Sequence, residues 1–153
     1  MIPEILIPGL KNGDLFPDTF TCVGSDISPA LRWGNFSENV VEYALIMDDP
    51  DAPSGLFTHW IIYGLKPEMY SLPENVTKTL NLPFGGIQGK NDFGKTGYGG
   101  PCPPRGKPHR YYFRLFGLLT PSGLGKSVTR KEFDKAINGK YSEKAEFMLM
   151  FSR

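Results

Sequence analysis

The segment from His109 to Leu119 reads HRYYFRLFGLL and has the composition and alternation of a β-strand. Aromatic and branched side chains are enriched in strands, and successive side chains of a strand point to opposite faces. Alternation therefore separates two faces of the strand. The mainly apolar face consists of His109, Tyr111, Phe113 and Leu115, and the mainly basic face consists of Arg110, Tyr112 and Arg114. We expect the strand to begin with an imidazole and a phenol hydroxyl side by side.

Strand patterns also occur on both sides of this segment. Short runs of β-branched or aromatic residues between glycines and prolines are typical of strands. We predict strands at Val40 to Met47, His59 to Leu65 and Ala145 to Phe151, with weaker signals near Ile5 to Leu6 and Phe20 to Val23.

One segment, from Thr129 to Asn138, has the pattern of a helix. Thr129 and Glu132 have the spacing of a capping box, and Gly139 is placed to end the helix. The apolar residues of the segment share one helical face, which consists of Phe133, Ala136 and Ile137. One helix beside several strands, with none between the first two strong strands, indicates a mostly antiparallel β protein.

The composition fits a single domain that spans residues 1–153. Hydrophobic residues make up 40% of the 153 residues, enough for one core of ordinary size. The 14 prolines and 18 glycines are spread along the chain and favour short strands joined by turns. The net charge of +1, with scattered basic residues, argues against a nucleic-acid partner.

The sequence contains no segment typical of export or of membrane insertion. Its start, Met1–Glu4, lacks basic residues, and Pro3 and Pro8 interrupt the short apolar stretch there. No apolar run has the length of a membrane span. We therefore expect a cytoplasmic protein in which Cys22 and Cys102 are reduced, while a disulfide between them is also compatible with the sequence.

Residues 89–96, GKNDFGKT, match the nucleotide-binding pattern GxxxxGK followed by Ser or Thr. That pattern binds phosphate when a strand precedes it and a helix follows it, because loop N–H groups and the helix N-terminus act together. Here the preceding LPFGG does not form a strand, and the following GYGGP cannot form a helix. We interpret the segment as a glycine-rich surface loop.

The two histidines of the chain occupy similar positions. Each begins an apolar strand after a segment rich in proline and glycine. His109 follows the long segment from Gly85 to Pro108, and a loop of this length inside a compact domain is usually functional. Asp49 lies at the end of the strand predicted before His59, in a turn that Pro50 and Pro53 stiffen.

These side chains suit the binding of a small anion. A carboxylate next to an imidazole favours the imidazolium form near neutral pH. Asp49, His59, His109 and Tyr111 could then hold a phosphate-sized anion together with backbone N–H groups. Structural histidines, Asx turns formed by Asp49 and Asp51, and a core position for Tyr111 are the alternative, and spacing alone leaves both interpretations open.

Several motifs occur in the order found in one known family. They are SPALRW at 28–33, DPDAP at 49–53, HW at 59–60, GGPCPP at 99–104 and HRY at 109–111, with NDFG at 91–94 and GY at 97–98. Over residues 15–151 the chain resembles the phosphatidylethanolamine-binding proteins, or Raf-kinase-inhibitor-like proteins. The last two motifs are similar to those of the bacterial and archaeal branch.

This resemblance implies an antiparallel Greek-key β-sandwich with a few short peripheral helices. It also implies a pocket at one end for phosphate, phosphorylethanolamine-like headgroups or other small anions. Carried over position by position, the pocket residues are Asp49, Asp51, Pro53, His59, Cys102, Pro103, Pro104, His109 and Tyr111. Pro53 is a candidate for a cis peptide bond.

Two departures from the eukaryotic members affect the expected pocket. Cys102 stands where many of those members have glycine, so its side chain should narrow the site. Arg153 closely follows the last predicted strand, whereas eukaryotic members continue with residues that cover the pocket. We therefore expect a more open pocket than in those members.

The resemblance implies a non-enzymatic binding protein without a metal or cofactor. Members of the family in animals and plants regulate kinases, proteases or transcription complexes by binding, so a kinase or protease is the type of protein partner that the resemblance implies. The first alternative is a hydrolase or other enzyme, with Asp49, His59 and His109 as acid and base or with Cys102 as a nucleophile beside His109. A zinc site formed by both histidines and an aspartate is the second. A homodimer through exposed aromatics such as Phe57 and Tyr98 is compatible with each.

Overall fold

A computed structural model describes all 153 residues and contains two antiparallel sheets and one α-helix. In chain order the elements are β1 (Glu4–Leu6), β2 (Leu31–Gly34), β3 (Glu42–Asp49), β4 (Phe57–Leu65), β5 (Ser71–Leu72), β6 (Ile87–Gln88), β7 (His109–Leu118), α1 (Arg130–Ile137) and β8 (Tyr141–Phe151). The smaller sheet has the strand order β1-β2-β5, and the larger sheet has the order β6-β4-β3-β7-β8.

The larger sheet has Greek-key connections. Within it β3, β4 and β6 are neighbours, and β7 then returns to pair with the free side of β3. Four antiparallel strands in this order form a Greek key. The predicted mostly β, Greek-key sandwich is therefore confirmed, and one α-helix and a 3-10 turn at Asp18–Phe20 are its helical parts.

The main apolar core lies between the two sheets. Leu31 of β2 belongs to the same buried cluster as Met47 of β3 and Phe113 of β7. The alternation predicted for β7 is confirmed, because Tyr111, Phe113 and Leu115 have no exposed surface. Burial of each such side chain stabilises the fold by about 1.5–3 kcal/mol, so the sandwich holds the start of β7 firmly in place.

Helix α1 covers the other face of the larger sheet. Phe133 and Ile137 pack against Ile46 of β3 in a second buried cluster, so β3 is buried on both faces. The predicted capping box is present, since the Thr129 hydroxyl accepts a hydrogen bond from the Glu132 N–H and the Glu132 carboxylate accepts one from the Thr129 N–H. The helix prediction is therefore confirmed.

The strand predicted near Phe20 to Val23 is wrong, because this segment forms a tight turn. The Thr21 hydroxyl donates to the carbonyl of Asp18, and the Gly24 N–H donates to the carbonyl of Thr21. A Cβ atom at Gly24 would lie 2.3 Å from the Asp18 carbonyl oxygen, so the turn can close only on glycine. Local hydrogen bonds thus take the place of a strand partner.

Two covalent expectations also differ from the structure. Cys22 and Cys102 form a disulfide, with Cα atoms 5.4 Å apart, so the expectation of reduced cysteines is wrong for this structure. The fold brings their segments together, and the Cys22 N–H donates to the carbonyl of Pro101. All peptide bonds are trans, so the candidate cis bond at Pro53 is absent. None of the helices could cross a membrane.

Candidate functional site

Three strands bring the candidate residues to one end of the larger sheet. Asp49 is the last residue of β3, His59 lies near the start of β4, and His109 is the first residue of β7. Because β3 pairs with both β4 and β7, these three positions become neighbours. Together with Tyr111 they line a cavity of about 250 Å³.

A hydrogen bond between Asp49 and His109 forms the polar centre of the cavity. Nδ1 of His109 lies 2.7 Å from Oδ2 of Asp49, and these side chains are only 12% and 4% exposed. Because a carboxylate accepts hydrogen bonds, Nδ1 of His109 carries the proton. The other oxygen of Asp49 accepts from the Asp51 N–H at 2.8 Å. Asp49 thus forms an Asx turn and orients His109 at the same time.

His59 is held by the backbone of the segment that follows β6. Its Nδ1 lies 2.6 Å from the carbonyl oxygen of Gly99, so Nδ1 carries a proton there as well. Burial lowers the pKa of His59, although the Gly99 carbonyl and the carboxylate of Asp49 act in the opposite direction. We expected a nearby carboxylate to favour the imidazolium form, but for His59 the effect of burial is larger and favours the neutral ring. In this neutral ring Nε2 is a hydrogen-bond acceptor.

Tyr111 forms the floor between the two imidazoles. Its ring stacks on His109 at 6.3 Å and contacts His59 edge-on at 5.4 Å. Burial, followed by the nearby carboxylate of Asp49, raises the pKa of Tyr111 well above its usual value. The phenol hydroxyl therefore stays protonated at any physiological pH. Tyr111 thus contacts both histidines, as expected for the pocket. It also occupies a core position, the alternative interpretation, because it is completely buried.

Two aromatic walls were missed by the sequence analysis. Phe57 and Phe93 pack against each other at 4.8 Å, and each also contacts the ring of His59. Phe57 is two residues before His59 on the same strand face, so alternation could have identified it. Phe93 lies in the long glycine-rich segment, where no pattern marks it.

The turn after β3 and the segment before β7 form the remaining walls. They contribute Ala52, Pro53, Ser54, Cys102, Pro103 and Pro104. The second wall also contacts the last residue of the chain, because Nε of Arg153 donates to the carbonyl of Pro103 at 2.6 Å. The predicted proline-rich walls thus surround the polar centre on both sides.

Asp51 does not line the cavity, unlike the other residues proposed for it. Its carboxylate instead accepts three hydrogen bonds from Arg110, from the backbone N–H and from Nε and Nη2 of the guanidinium, at 2.8–2.9 Å. Hydrogen bonding to Arg110 lowers the pKa of Asp51 to about 2. Asp51 therefore ties the turn after β3 to the start of β7.

The segment that resembles a nucleotide-binding loop is a closed turn. Its N–H groups at Phe93 and Lys95 donate to the side-chain oxygen of Asn91, whose amide nitrogen donates to the carbonyl of Gly97. No helix follows the segment. The interpretation as a surface loop is confirmed, because these N–H groups are already bonded within it.

Two further expectations are corrected by burial and by the disulfide. Tyr98 is only 2% exposed and donates its hydroxyl to the carbonyl of Phe20, so it cannot provide an exposed dimer contact. Cys102 is bonded to Cys22 and has no thiol with which to form a nucleophile pair with His109. No group of three or more histidine, cysteine and acidic side chains is arranged to hold a metal ion.

Comparisons with known proteins identify the family. The family model described as "Phosphatidylethanolamine-binding protein" matches residues 7–152, so the chain belongs to this family. A "UPF0098 protein" of Aquifex aeolicus is 43% identical over 154 residues, which cover 99% of this chain and 90% of that protein.

Solved structures agree with this assignment. Escherichia coli YbcL, described as a new member of the mammalian PEBP family, superposes with a TM-score of 0.92 at 28% identity, over 100% of this chain and 99% of that chain. The PEBP homologue CT736 of Chlamydia trachomatis gives a TM-score of 0.89 at 30% identity, over 99% and 98% of the two chains. The fold described above is therefore that of the family.

Proposed function

We propose that the cavity binds a small phosphate-containing anion and that the protein acts by binding rather than by catalysis. The observation that carries this proposal is the way in which the two imidazoles are used. Nδ1 of each ring is bonded to the protein, whereas Nε2 of neither ring has a protein partner. Since no buried side-chain nitrogen lacks a partner, both Nε2 atoms reach the solvent of the cavity that the rings line.

The two Nε2 atoms offer opposite hydrogen-bonding roles. Asp49 holds Nδ1 of His109 and leaves Nε2 free, and an imidazolium at this position would donate from Nε2 to an anionic oxygen. His59 is neutral and accepts at Nε2, because Nδ1–H is used by Gly99 and burial lowers its pKa. A phosphate or phosphate monoester that still carries one proton matches both roles, since it has an anionic oxygen and a P–OH group.

The walls suit an organic substituent on the phosphate. Phe57, Phe93 and three prolines surround the polar centre, and the cavity volume is about 250 Å³. A pocket of mostly apolar walls with a few placed polar groups is typical of a small-molecule site. Phosphorylethanolamine, the headgroup to which the family's name refers, belongs to this class of ligand.

The arrangement favours binding over hydrolysis. Asp49 already accepts bonds from His109 and from the backbone of Asp51, and Cys102 is part of a disulfide. The alternative, a hydrolase, would use Nε2 of His59 as a general base for water, a role that its neutral ring permits. In our proposal a kinase or protease regulated by this protein would compete with the phosphate ligand for the cavity.

An NMR titration tests the proposal. Phosphate and O-phosphorylethanolamine are added while the imidazole signals of His59 and His109 are followed. We expect both signals to shift together and to saturate, and we expect His109→Ala to abolish the response of His59. Lys107→Ala is the matched control, because it removes an exposed cation near His109 that lines no part of the cavity.

Two outcomes would contradict the proposal. Signals that stay still, or that move with different midpoints, would mean that the histidines do not share one anion site. Turnover of a phosphate monoester that is lost in His59→Gln would instead support the hydrolase.

A further inference from the structure

The Cys22–Cys102 disulfide lies between two surface cavities. Cys102 lines the anion cavity, and both cysteines line a second cavity of about 680 Å³ on its other side. Cys102 is exposed and Cys22 is partly buried. Because Cys102 lines both cavities, a thiolate from solution that enters either one comes next to the disulfide without unfolding of the domain.

We propose that this disulfide is a site of reversible thiol–disulfide exchange, and that its opening loosens one wall of the anion cavity. The partner is a dithiol, either a small molecule or a protein. The effect on ligand affinity rests on the proposed function, whereas the exchange itself and the loosening of the wall do not.

The exchange proceeds in two balanced steps. A thiolate of the dithiol attacks Sγ of Cys102 and forms a mixed disulfide, while Cys22 leaves as a thiolate with the electron pair of the broken bond. The second thiol of the partner, once deprotonated, then attacks the partner's own sulfur and releases the thiolate of Cys102. The dithiol becomes a disulfide, and two electrons and two protons reach the cysteines.

Cations in the second cavity favour the first step. Lys78 and Lys95 line this cavity together with Cys22, and the one acidic residue there is Asp26, so cations outnumber carboxylates. The ammonium of Lys78 donates only to the backbone carbonyl of Asp26, and neither lysine belongs to an ion pair with a carboxylate. Nearby cations lower the pKa of a thiol and make its thiolate a better leaving group.

The wall restrained by the disulfide also orients His59. Gly99, three residues before Cys102, accepts the hydrogen bond from Nδ1 of His59. Pro103, the residue after Cys102, lines the cavity. The cross-link joins this wall covalently to the turn that contains Cys22, 80 positions earlier in the chain. Its opening should therefore be felt at the imidazole of His59.

Non-covalent contacts should keep the domain folded after reduction. The Gly100 N–H donates to Oδ1 of Asp26, and the Tyr98 hydroxyl donates to the carbonyl of Phe20. Both bonds connect the wall to the same turn as the disulfide does. We therefore expect reduction to raise the mobility of the wall rather than to unfold the protein.

The test compares the oxidised and reduced full chain, with dithiothreitol as the reductant. This dithiol is uncharged, whereas carboxylate-bearing reductants would compete for the anion cavity. Mass spectrometry counts the thiols, hydrogen exchange reports on the bonded amides of Cys22 and Gly100, and NMR reports on His59 without ligand. We expect two thiols, amide exchange faster by about tenfold, a shifted His59 signal, a several-fold higher Kd for phosphate, and full reversal on reoxidation.

The double variant Cys22→Ser/Cys102→Ser is the control. It should resemble the reduced protein without reductant, and dithiothreitol should not change it further. If it fails to fold, reduced wild-type protein, with its fold checked by circular dichroism, provides the decisive reading.

The proposal is overturned if the folded protein resists dithiothreitol, or if reduction leaves both the two amides and His59 unchanged. If phosphate binds to neither redox form, the proposed function fails. The amide exchange and the His59 signal still decide the inference about the disulfide in that case.

Discussion

His59 should make the cavity prefer phosphate to sulfate. The two anions have the same shape, but near neutral pH phosphate carries at least one proton and sulfate carries none. Nδ1 of His59 is 2.6 Å from the Gly99 carbonyl, which leaves Nε2 of the neutral ring as an acceptor. A P–OH group can donate to this atom, whereas a sulfate oxygen would face it lone pair to lone pair.

The size of the preference follows from the burial of His59, which is only 3% exposed. Leaving a buried acceptor without its donor costs about 1–3 kcal/mol, which corresponds to about 5- to 150-fold in Kd. His109 would contact either anion at the same place, so the ratio of the two Kd values depends mainly on His59. We expect phosphate to bind more tightly by a factor within this range.

Isothermal titration with potassium phosphate and potassium sulfate at equal ionic strength measures the ratio. His59→Gln is the informative variant, because its amide can turn either an oxygen or an N–H group toward the ligand. We expect the variant to lose most of the preference while still binding both anions. Equal affinities in the wild-type protein, or an unchanged ratio in His59→Gln, would refute the role assigned to His59.

Three further predictions concern the framework around the site. Asp48→Asn should destabilise the protein by about 2–4 kcal/mol in urea denaturation, because Arg114 and Arg130 both lose their buried carboxylate. Asp134→Asn is the control and should cost under about 1 kcal/mol, because Asp134 is a 53% exposed partner of Arg130. Equal losses in the two variants would contradict this prediction. Asp51 should titrate at about 2 by carboxyl NMR. Because its folded-state pKa is lowered, its stabilisation should be complete above about pH 4 and lost as the pH falls toward 2, and Arg110→Ala should return the pKa toward its ordinary value; an unchanged value would exclude the ion pair as the cause. Thr129→Ala should lower the free energy of unfolding by about 1 kcal/mol through loss of the helix cap, and the absence of any change would contradict the capping role.

Alternation predicted the long strands where one face is apolar, but not where the strand is polar on both sides. β7 was predicted almost to its ends, because Tyr111, Phe113 and Leu115 mark its buried face. β8 was expected to begin at Ala145 and in fact begins at Tyr141, since its first residues are partly or fully exposed and are placed by pairing with β7. The short strands β2, β5 and β6 have too few residues for a pattern to emerge.

The site could be predicted only in part from local sequence. Asp49 and His109 are 60 positions apart in the chain. A register shift after Met47 also changes which residues of β4 lie opposite the end of β3, and therefore where His59 lies relative to Asp49. No spacing rule supplies this geometry, so their proximity was expected mainly from the family resemblance. The pairing of Cys22 with Cys102 was missed because the expected cellular compartment, rather than geometry, decided the prediction.

The closed turn around Asn91 has a consequence for the kinetics of binding. This turn holds Phe93 in position through hydrogen bonds within its own segment, so that wall exists before any ligand arrives. Little ordering entropy should then be lost on binding, and association should not wait for a rearrangement. Ligands of the cavity should differ mainly in residence time, and of two anions the tighter one should be the first to show slow exchange in an NMR spectrum.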